Sequence, residues 1–417
     1  MLTRILRLLR VEPLNLRSQA SANVAPAQHP VTEPNRRMAA IDVIKGAACL
    51  LIVAHHLAVY GPMSDNAGML MPWVIGGLYD YGRWVVQVFL VMGGYLAAAS
   101  LAPAPARTWS LRRGAAGLIW RRYCRLVLPY GIAVVTSVAI AAMVRPWFSH
   151  PSVPEAPTLV QALAHALFLQ DIFGFKSLSA GLWYVAIDFQ LYALSVLVFS
   201  AAAVAAHRWP GLTVLRGDWA MLAIGSASLL VFNRNTALDA TAFYFVGAYV
   251  LGMLAYWAAP ETHLHDPVAW RRPNWFWLAV LFAFGATALL VEFRGRLALA
   301  WGVALALVAL RQIFQGQARD ADASQGKLLW QTVAHAAVQL LARVGVISYT
   351  VFLIHFPVCL LVNAVMANVW PTGAWANLFG LAAAMVLSVA AGSVLFRWVE
   401  LASDALRSRQ SSTALPA

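Results

Sequence analysis

"IDVIKGAACLLIVAHHLAVYG", Ile41–Gly61, decides how this chain is read. The run has the roughly 20-residue length that a bilayer-spanning helix needs. It nevertheless carries Asp42, Lys45 and two adjacent histidines, His55 and His56. Ionisable groups within a span are costly and face a bundle interior or a water-filled pathway. Lys45 and His56 stand close to three helical turns apart, so they share one face about 16 Å apart along the axis. One lies toward each rim. His55 is rotated about 100° from that face. The plainer alternatives are that Lys45 snorkels to the interface and that an imidazole donates to a carbonyl of a neighbouring helix.

The whole chain has the same character. Of its 417 residues 61% are hydrophobic and only 11% are charged, about half the charged share usual in soluble domains. This composition describes an integral membrane protein whose main solvent is the lipid bilayer. The net charge of +13 comes from clusters between apolar runs. Such clusters orient a protein against the inner leaflet, and no nucleic-acid-binding module accompanies them. Cys49, Cys124 and Cys359 lie in or beside apolar stretches without metal-ligand spacing and read as small packing residues. The basic, then Ala/Pro/Ser/Gln-rich residues 1–38 cannot build a core and read as a disordered cytoplasmic arm. A signal peptide is the rival reading, against which stand the arginines interrupting its apolar part. Met38 is an alternative start.

Apolar runs predict ten transmembrane helices, near 39–60, 80–101, 126–146, 184–206, 218–233, 240–258, 276–292, 296–312, 343–367 and 376–398. Thr158–Phe173 is too short to span comfortably and reads as a re-entrant or interfacial helix. With ten spans, Arg36/Arg37, Arg107–Arg125, Arg208/Arg216, Arg271/Arg272, Arg311–Lys327 and Arg407/Arg409 all face one side. Both termini are then cytoplasmic, in the inner (plasma) membrane. Arg294 and Arg296, in a tight outer turn, fit this bias worst. The expected organisation is an all-α polytopic domain over 39–400 followed by a cytoplasmic tail, 401–417. No internal repeat is visible, which weakens the commonest transporter architecture.

Other polar residues interrupt the apolar runs. In "GLWYVAIDFQLYAL", Asp188 lies four or five residues into a helix expected to enter from the outer side, and so at the depth of His56. An imidazole and a carboxylate meeting there would form an acid/base pair; the alternatives are a structural ion pair or a helix cap. Arg122 and Arg125 in "RRYCRLVLPY" share a helical face at the cytoplasmic rim, where guanidinium forks hold phosphates or simply anchor the helix. "ISYTVFLIHFPV" contributes Tyr349 and a mid-span His355. Arg397 and Glu400 read as a rim ion pair. "HLHDP", His263–Pro267, lacks a fourth ligand, and no metal site is expected.

In order along Ile41–Glu400, these stretches resemble the membrane acyltransferase-3 family. Asp42, Lys45-Gly46 and His56 resemble its first-span Asp, Arg-Gly and His. "VFLVMGGYL", Val88–Leu96, resembles "FFVLSGFL". Arg122, Arg125 and Pro129 resemble its RxxR turn before proline, Leu182–Tyr192 resembles "LWYLxxExxxY", and Ser348–Pro357 resembles "SYxxYLxHxP". The chain departs from the pattern with Lys45 for arginine, Asp188 for glutamate, Gly93 for serine, Pro129 one place late and Leu401 for a proline. Lysine is a point charge where arginine is a fork. The resemblance implies an O-acyltransferase that moves an acyl group, often acetyl, from acyl-CoA to a hydroxyl of an envelope carbohydrate or glycolipid. His56 would be the general base, Asp188 its partner, and Lys45, Arg122 and Arg125 the ligands of the CoA phosphates. Asp42, Trp183, Tyr192, Tyr349, His355 and Glu400 would support them. Acyl-CoA is then a substrate, with no permanently bound cofactor, and an envelope-biosynthesis protein is a candidate partner. The rival readings are a proton-coupled transporter or flippase using His56, Asp188 and His355, and a purely structural or regulatory membrane partner.

Overall fold

The structure, a computed structural model, describes residues 33–101, 111–209, 216–259, 273–317 and 329–412. All regular elements among them are helical. Most of the 1–38 arm and the whole "HLHDP" loop lie outside the described residues. The expected edges shift where helix is present: α1 begins at Glu33, inside the arm, and the last helix runs to Ser412, through most of the tail. Seven helical segments among the described residues are long and apolar enough to cross a membrane: Ala40–Val59, Pro72–Leu101, Gly114–Val144, Leu182–Arg208, Gly295–Gln312, Ser348–Val369 and Ala374–Leu401. The protein is therefore a multi-pass helical membrane protein. The other three predicted spans are shorter helices, Gly217–Leu230, Ala242–Ala258 and Trp275–Val291. At 1.5 Å per residue they measure roughly 21 to 26 Å, less than a hydrocarbon core of about 30 Å.

In chain order the helices are α1 (Glu33–Val59), α2 (Pro62–Ala67), α3 (Pro72–Tyr81), α4 (Val86–Leu101), α5 (Leu111–Val144), α6 (Leu159–Ala166) and α7 (Leu182–Arg208). They continue as α8 (Gly217–Leu230), α9 (Ala242–Ala258), α10 (Trp275–Val291), α11 (Gly295–Gln317), α12 (Leu329–Val346), α13 (Ser348–Val369) and α14 (Ala374–Ser412). Residues distant in sequence tie α1 to α13 as parallel neighbours: Cys49 Sγ donates to the Ser348 carbonyl at 3.4 Å, and Asn363 Nδ2 donates to that of Tyr60 at 3.0 Å. Helix α5 joins them through Tyr349 Oη, which donates to the Leu126 carbonyl at 3.1 Å. A second centre forms where α4 crosses α9. A side chain at Gly94 would collide with the Tyr249 backbone, and one at Gly252 with that of Val91, so the missing Cβ atoms let the two backbones touch. This explains how α9, buried along nearly its whole length, sits inside the bundle while being short for a span.

Between α5 and α7 the chain dips back into the bundle. Thr158 caps α6, its Oγ1 accepting from Gln161 N at 3.1 Å. After α6 the chain turns at Phe168, at φ 57°, and buries that ring completely against Tyr123, Tyr130 and Phe189. His165 closes the dip, with Nδ1 donating to the Gln161 carbonyl at 2.8 Å and Nε2 accepting from Leu178 N at 3.2 Å. Burial lowers its pKa, favouring the neutral ring that this double bond requires. Burial also pushes Asp171, in the same dip, up to about 6. Thr158–Phe173 holds only the eight-residue α6 and is not among the helices long enough to cross a membrane. The dip ends at Gly181, whose φ of 87° suits glycine and which starts α7 against the Phe352 ring. Arg294 and Arg296, the worst fits to the charge bias, have local work: Arg294 donates to Asn233 Oδ1 at 2.6 Å and to the Leu229 carbonyl at the end of α8 at 2.9 Å. Arg296 lies over the Tyr244 ring at 4.9 Å.

Candidate active site

A cavity of about 390 Å³ opens beside the last turn of α1, a volume suited to a small-molecule or sugar-sized group. His55, His56 and Tyr60 bring its polar wall from α1, while Ile52, Val86 and Phe352 supply apolar surface. Tyr79, Arg83, Gly181 and Trp183 complete the rim. His55 therefore shares the cavity with His56 despite its rotation along the helix. Its Nδ1 donates to the Leu78 carbonyl at 2.8 Å, which fixes the ring against the end of α3.

His56 is held by a partner other than the expected one. Its Nδ1 lies 2.6 Å from His355 Nε2, and the two rings are within 9° of parallel with centroids 4.9 Å apart. A nitrogen contact that short, at that centroid separation, means rings meeting edge to edge in one plane rather than face to face. The proton positions follow from the far end. His355 Nδ1 faces the Phe352 carbonyl at 2.7 Å, and a carbonyl only accepts, so this nitrogen carries the proton. In the neutral pair His355 Nε2 then accepts from His56 Nδ1–H. That leaves His56 Nε2 as a bare lone pair with no protein partner among the described residues, on a ring that lines the cavity.

Asp188 belongs to a different layer. Arg122 Nη2 donates to Asp188 Oδ2 at 2.5 Å, and the Arg122 guanidinium lies over the Tyr192 ring at 4.9 Å. A Cβ at Gly93 would stand 3.0 Å from Asp188 Oδ1, so glycine at the family's serine position leaves room for the carboxylate. The expected His56–Asp188 pair is thus replaced by His56–His355 and Asp188–Arg122. The physical reason is the dip between α5 and α7. It starts α7 beside Phe352, about one turn short of His355, and carries Asp188 seven residues further, about 10 Å toward the Asp42 end. Phe352, Tyr184 and Phe89 pack in mutual ring contact between the layers.

The remaining expected site residues scatter along the bundle. Lys45 Nζ binds Asp42 Oδ1 at 3.0 Å near the start of α1. Arg122 is turned inward to Asp188 instead of standing at the rim, whereas Arg125 is exposed and makes no hydrogen bond or ion pair among the described residues. Trp183 is on the cavity rim, and Tyr192 and Tyr349 steady the Arg122 layer and the α5–α13 contact. Glu400 lies far along α14, away from the cavity lining. Arg83 and Tyr79 were not singled out by the sequence, where an arginine beside tyrosines and tryptophan at the start of a span reads as an interfacial anchor.

Apolar helices closed around a buried, aligned histidine pair and a sugar-sized cavity define a multi-pass membrane protein with an enclosed polar site. A family model described as an acyltransferase domain, of the acyltransferase-3 type, matches residues 38–397, and the chain belongs to that family. It is accordingly a membrane O-acyltransferase. Neither the curated proteins nor the solved structures give a match to this chain.

Proposed function

We propose that the protein moves an acyl group, acetyl in the first instance, from acyl-CoA on the cytoplasmic side to a hydroxyl of an exported or envelope carbohydrate in the outer cavity. The observation that carries this reading is the in-plane His56–His355 pair with its free Nε2 beside the cavity. In the reaction the acceptor hydroxyl gives its proton to His56 Nε2 as its oxygen attacks the thioester carbonyl. The tetrahedral intermediate collapses, the C–S bond breaks, and the departing thiolate takes the proton back from His56. His355 fills the orienting role expected of Asp188: it fixes the His56 tautomer and takes up part of the positive charge while the proton is held. Asp188 instead holds Arg122, and with it the packing of α5 against α7.

Lys45 and the exposed Arg125 are the proposed phosphate ligands for the CoA moiety. They are linked through Cys49, Ser348, Tyr349 and Leu126 around one end of α13. The reading includes ten spans, both termini in the cytoplasm and residence in the inner membrane, supported by the distribution of Arg and Lys. The acceptor would reach the cavity from the opposite side. The rival proton relay through His56, Asp188 and His355 is disfavoured by the engagement of Asp188 with Arg122. The decisive experiment follows labelled acetyl from acetyl-CoA to polysaccharide in membranes carrying His56→Ala. Transfer falls by about 10²- to 10⁴-fold, the usual contribution of a general base, with acceptor export intact. Undiminished labelling would exclude His56 as the base.

A further inference from the structure

Arg83 is the one residue with a fixed charge among the described residues lining the cavity, and no carboxylate lines it. Its position is built. A Cβ at Gly82 would stand 2.6 Å from His55 Cβ, so only glycine lets the turn Gly82–Val85 lie directly on α1, with Arg83 at the cavity rim. The guanidinium carbon lies 5.7 Å from the centre of the Trp183 ring, which forms the adjoining wall. The acid facing Arg83 is Asp239, at 3.7 Å, with the two side chains 62% and 44% exposed. That separation is too long for a hydrogen bond, and water screens the pair. An incoming anion can therefore displace Asp239 readily.

We propose that Arg83 and Trp183 form an oxyanion subsite, and that the acceptor is an anionic carbohydrate whose carboxylate or phosphate lies within about one sugar of the acylated hydroxyl. This rests on the O-acyltransfer reading and names its substrate class. A guanidinium fork matches the paired oxygens of either anion. The indole face offers an apolar platform for the C–H face of the sugar ring, leaving hydroxyls on the other edge free to reach His56 Nε2.

The test uses the full chain in nanodiscs of zwitterionic lipid with acetyl-CoA as donor. Matched oligosaccharides serve as acceptors: neutral, uronic-acid-containing and phosphate-bearing. The acidic acceptors show kcat/KM about tenfold or more above the neutral one, the effect of a charge-assisted hydrogen bond; the arm that gains most distinguishes carboxylate from phosphate. Arg83→Gln brings this ratio close to one through KM. Asp239→Asn lowers KM for the acidic acceptors by removing their competitor. An independent binding readout is protection of His56 from diethyl pyrocarbonate, mapped by mass spectrometry: acidic acceptors protect, neutral ones at the same concentration do not, and Arg83→Gln abolishes the difference. Equal use of neutral and acidic acceptors, with equal protection, overturns the proposal while leaving O-acyltransfer intact. So does an Arg83→Gln effect seen only with anionic lipid present, which assigns Arg83 to the membrane surface. Protection by acidic acceptors with no transfer to any acceptor overturns the O-acyltransfer reading instead.

Discussion

At the residue scale, the arrangement turns on which atom of each imidazole carries a proton. The Phe352 carbonyl determines His355, His355 determines His56, and the consequence is a lone pair at His56 Nε2. On the proposed mechanism His355 is a positioning residue, and its replacement has a specific signature. His355→Ala frees the His56 ring to rotate and change tautomer, so kcat falls by up to about 10²-fold, part of what a general base contributes, with KM for donor and acceptor unchanged. His355→Gln can present an amide oxygen to His56 Nδ1–H and restores much of the rate. Steady-state kinetics on the two variants check this, and equal losses in both would reduce His355 to packing. His56 was legible in the sequence because helical periodicity and the cost of a buried imidazole both single it out. Its partner was not: the two histidines are 299 residues apart, and sequence proximity to a motif says nothing of which ring faces which.

At the scale of elements, the pairing of Asp188 with Arg122 shows how the start of a helix sets the depth of the residues that follow. Counting residues from the start of α7 gives the depth of Asp188 only if the start of α7 lies at the membrane surface. The helix starts at Leu182, with Gly181 beside Phe352, so Asp188 is its seventh residue and not its fourth or fifth. The composition of the Thr158–Phe173 segment showed it too short to span, but its path depends on tertiary contacts of Phe168 with α5 and α7. The Arg122–Asp188 pair locks those same two helices, with side chains 29% and 11% exposed. Asp188→Ala strands a guanidinium in the bundle and destabilises the protein by about 3 kcal/mol, the lower end for breaking a buried pair. The double variant Arg122→Met/Asp188→Leu recovers most of that loss, because matched apolar side chains replace a buried ion pair at little cost. Thermal unfolding in detergent compares the three. A double variant as unstable as Asp188→Ala would mean that the pair is held by more than its own charges.

At the scale of the whole molecule, the two polar layers are stacked along one bundle. One holds Lys45, Arg125 and the Arg122–Asp188 pair toward the Asp42 end of α1, and the other is the histidine cavity toward Tyr60. The hydropathy pattern anticipated a helix for every predicted span. Seven of them have full membrane-spanning length, and the shorter α9 is buried by α4 and its other neighbours. Charge clusters supply what hydropathy lacks, the direction of the stack. If that direction is right, donor and acceptor meet from opposite sides, and catalysis is vectorial. The protein is reconstituted into sealed vesicles and sorted by whether a C-terminal tag is open to external protease. In vesicles with the tag outside, added acetyl-CoA is consumed only when acceptor has been trapped in the lumen. In vesicles with the tag inside, external acceptor is acylated only from trapped acetyl-CoA. The wrong-side pairing gives less than about a tenth of that transfer, since CoA carries several charges and a charge in hydrocarbon costs at least 2.5 kcal/mol. Equal transfer from both sides in intact vesicles would mean that both substrates enter the histidine cavity directly, and the Lys45–Arg125 end would lose its assigned role.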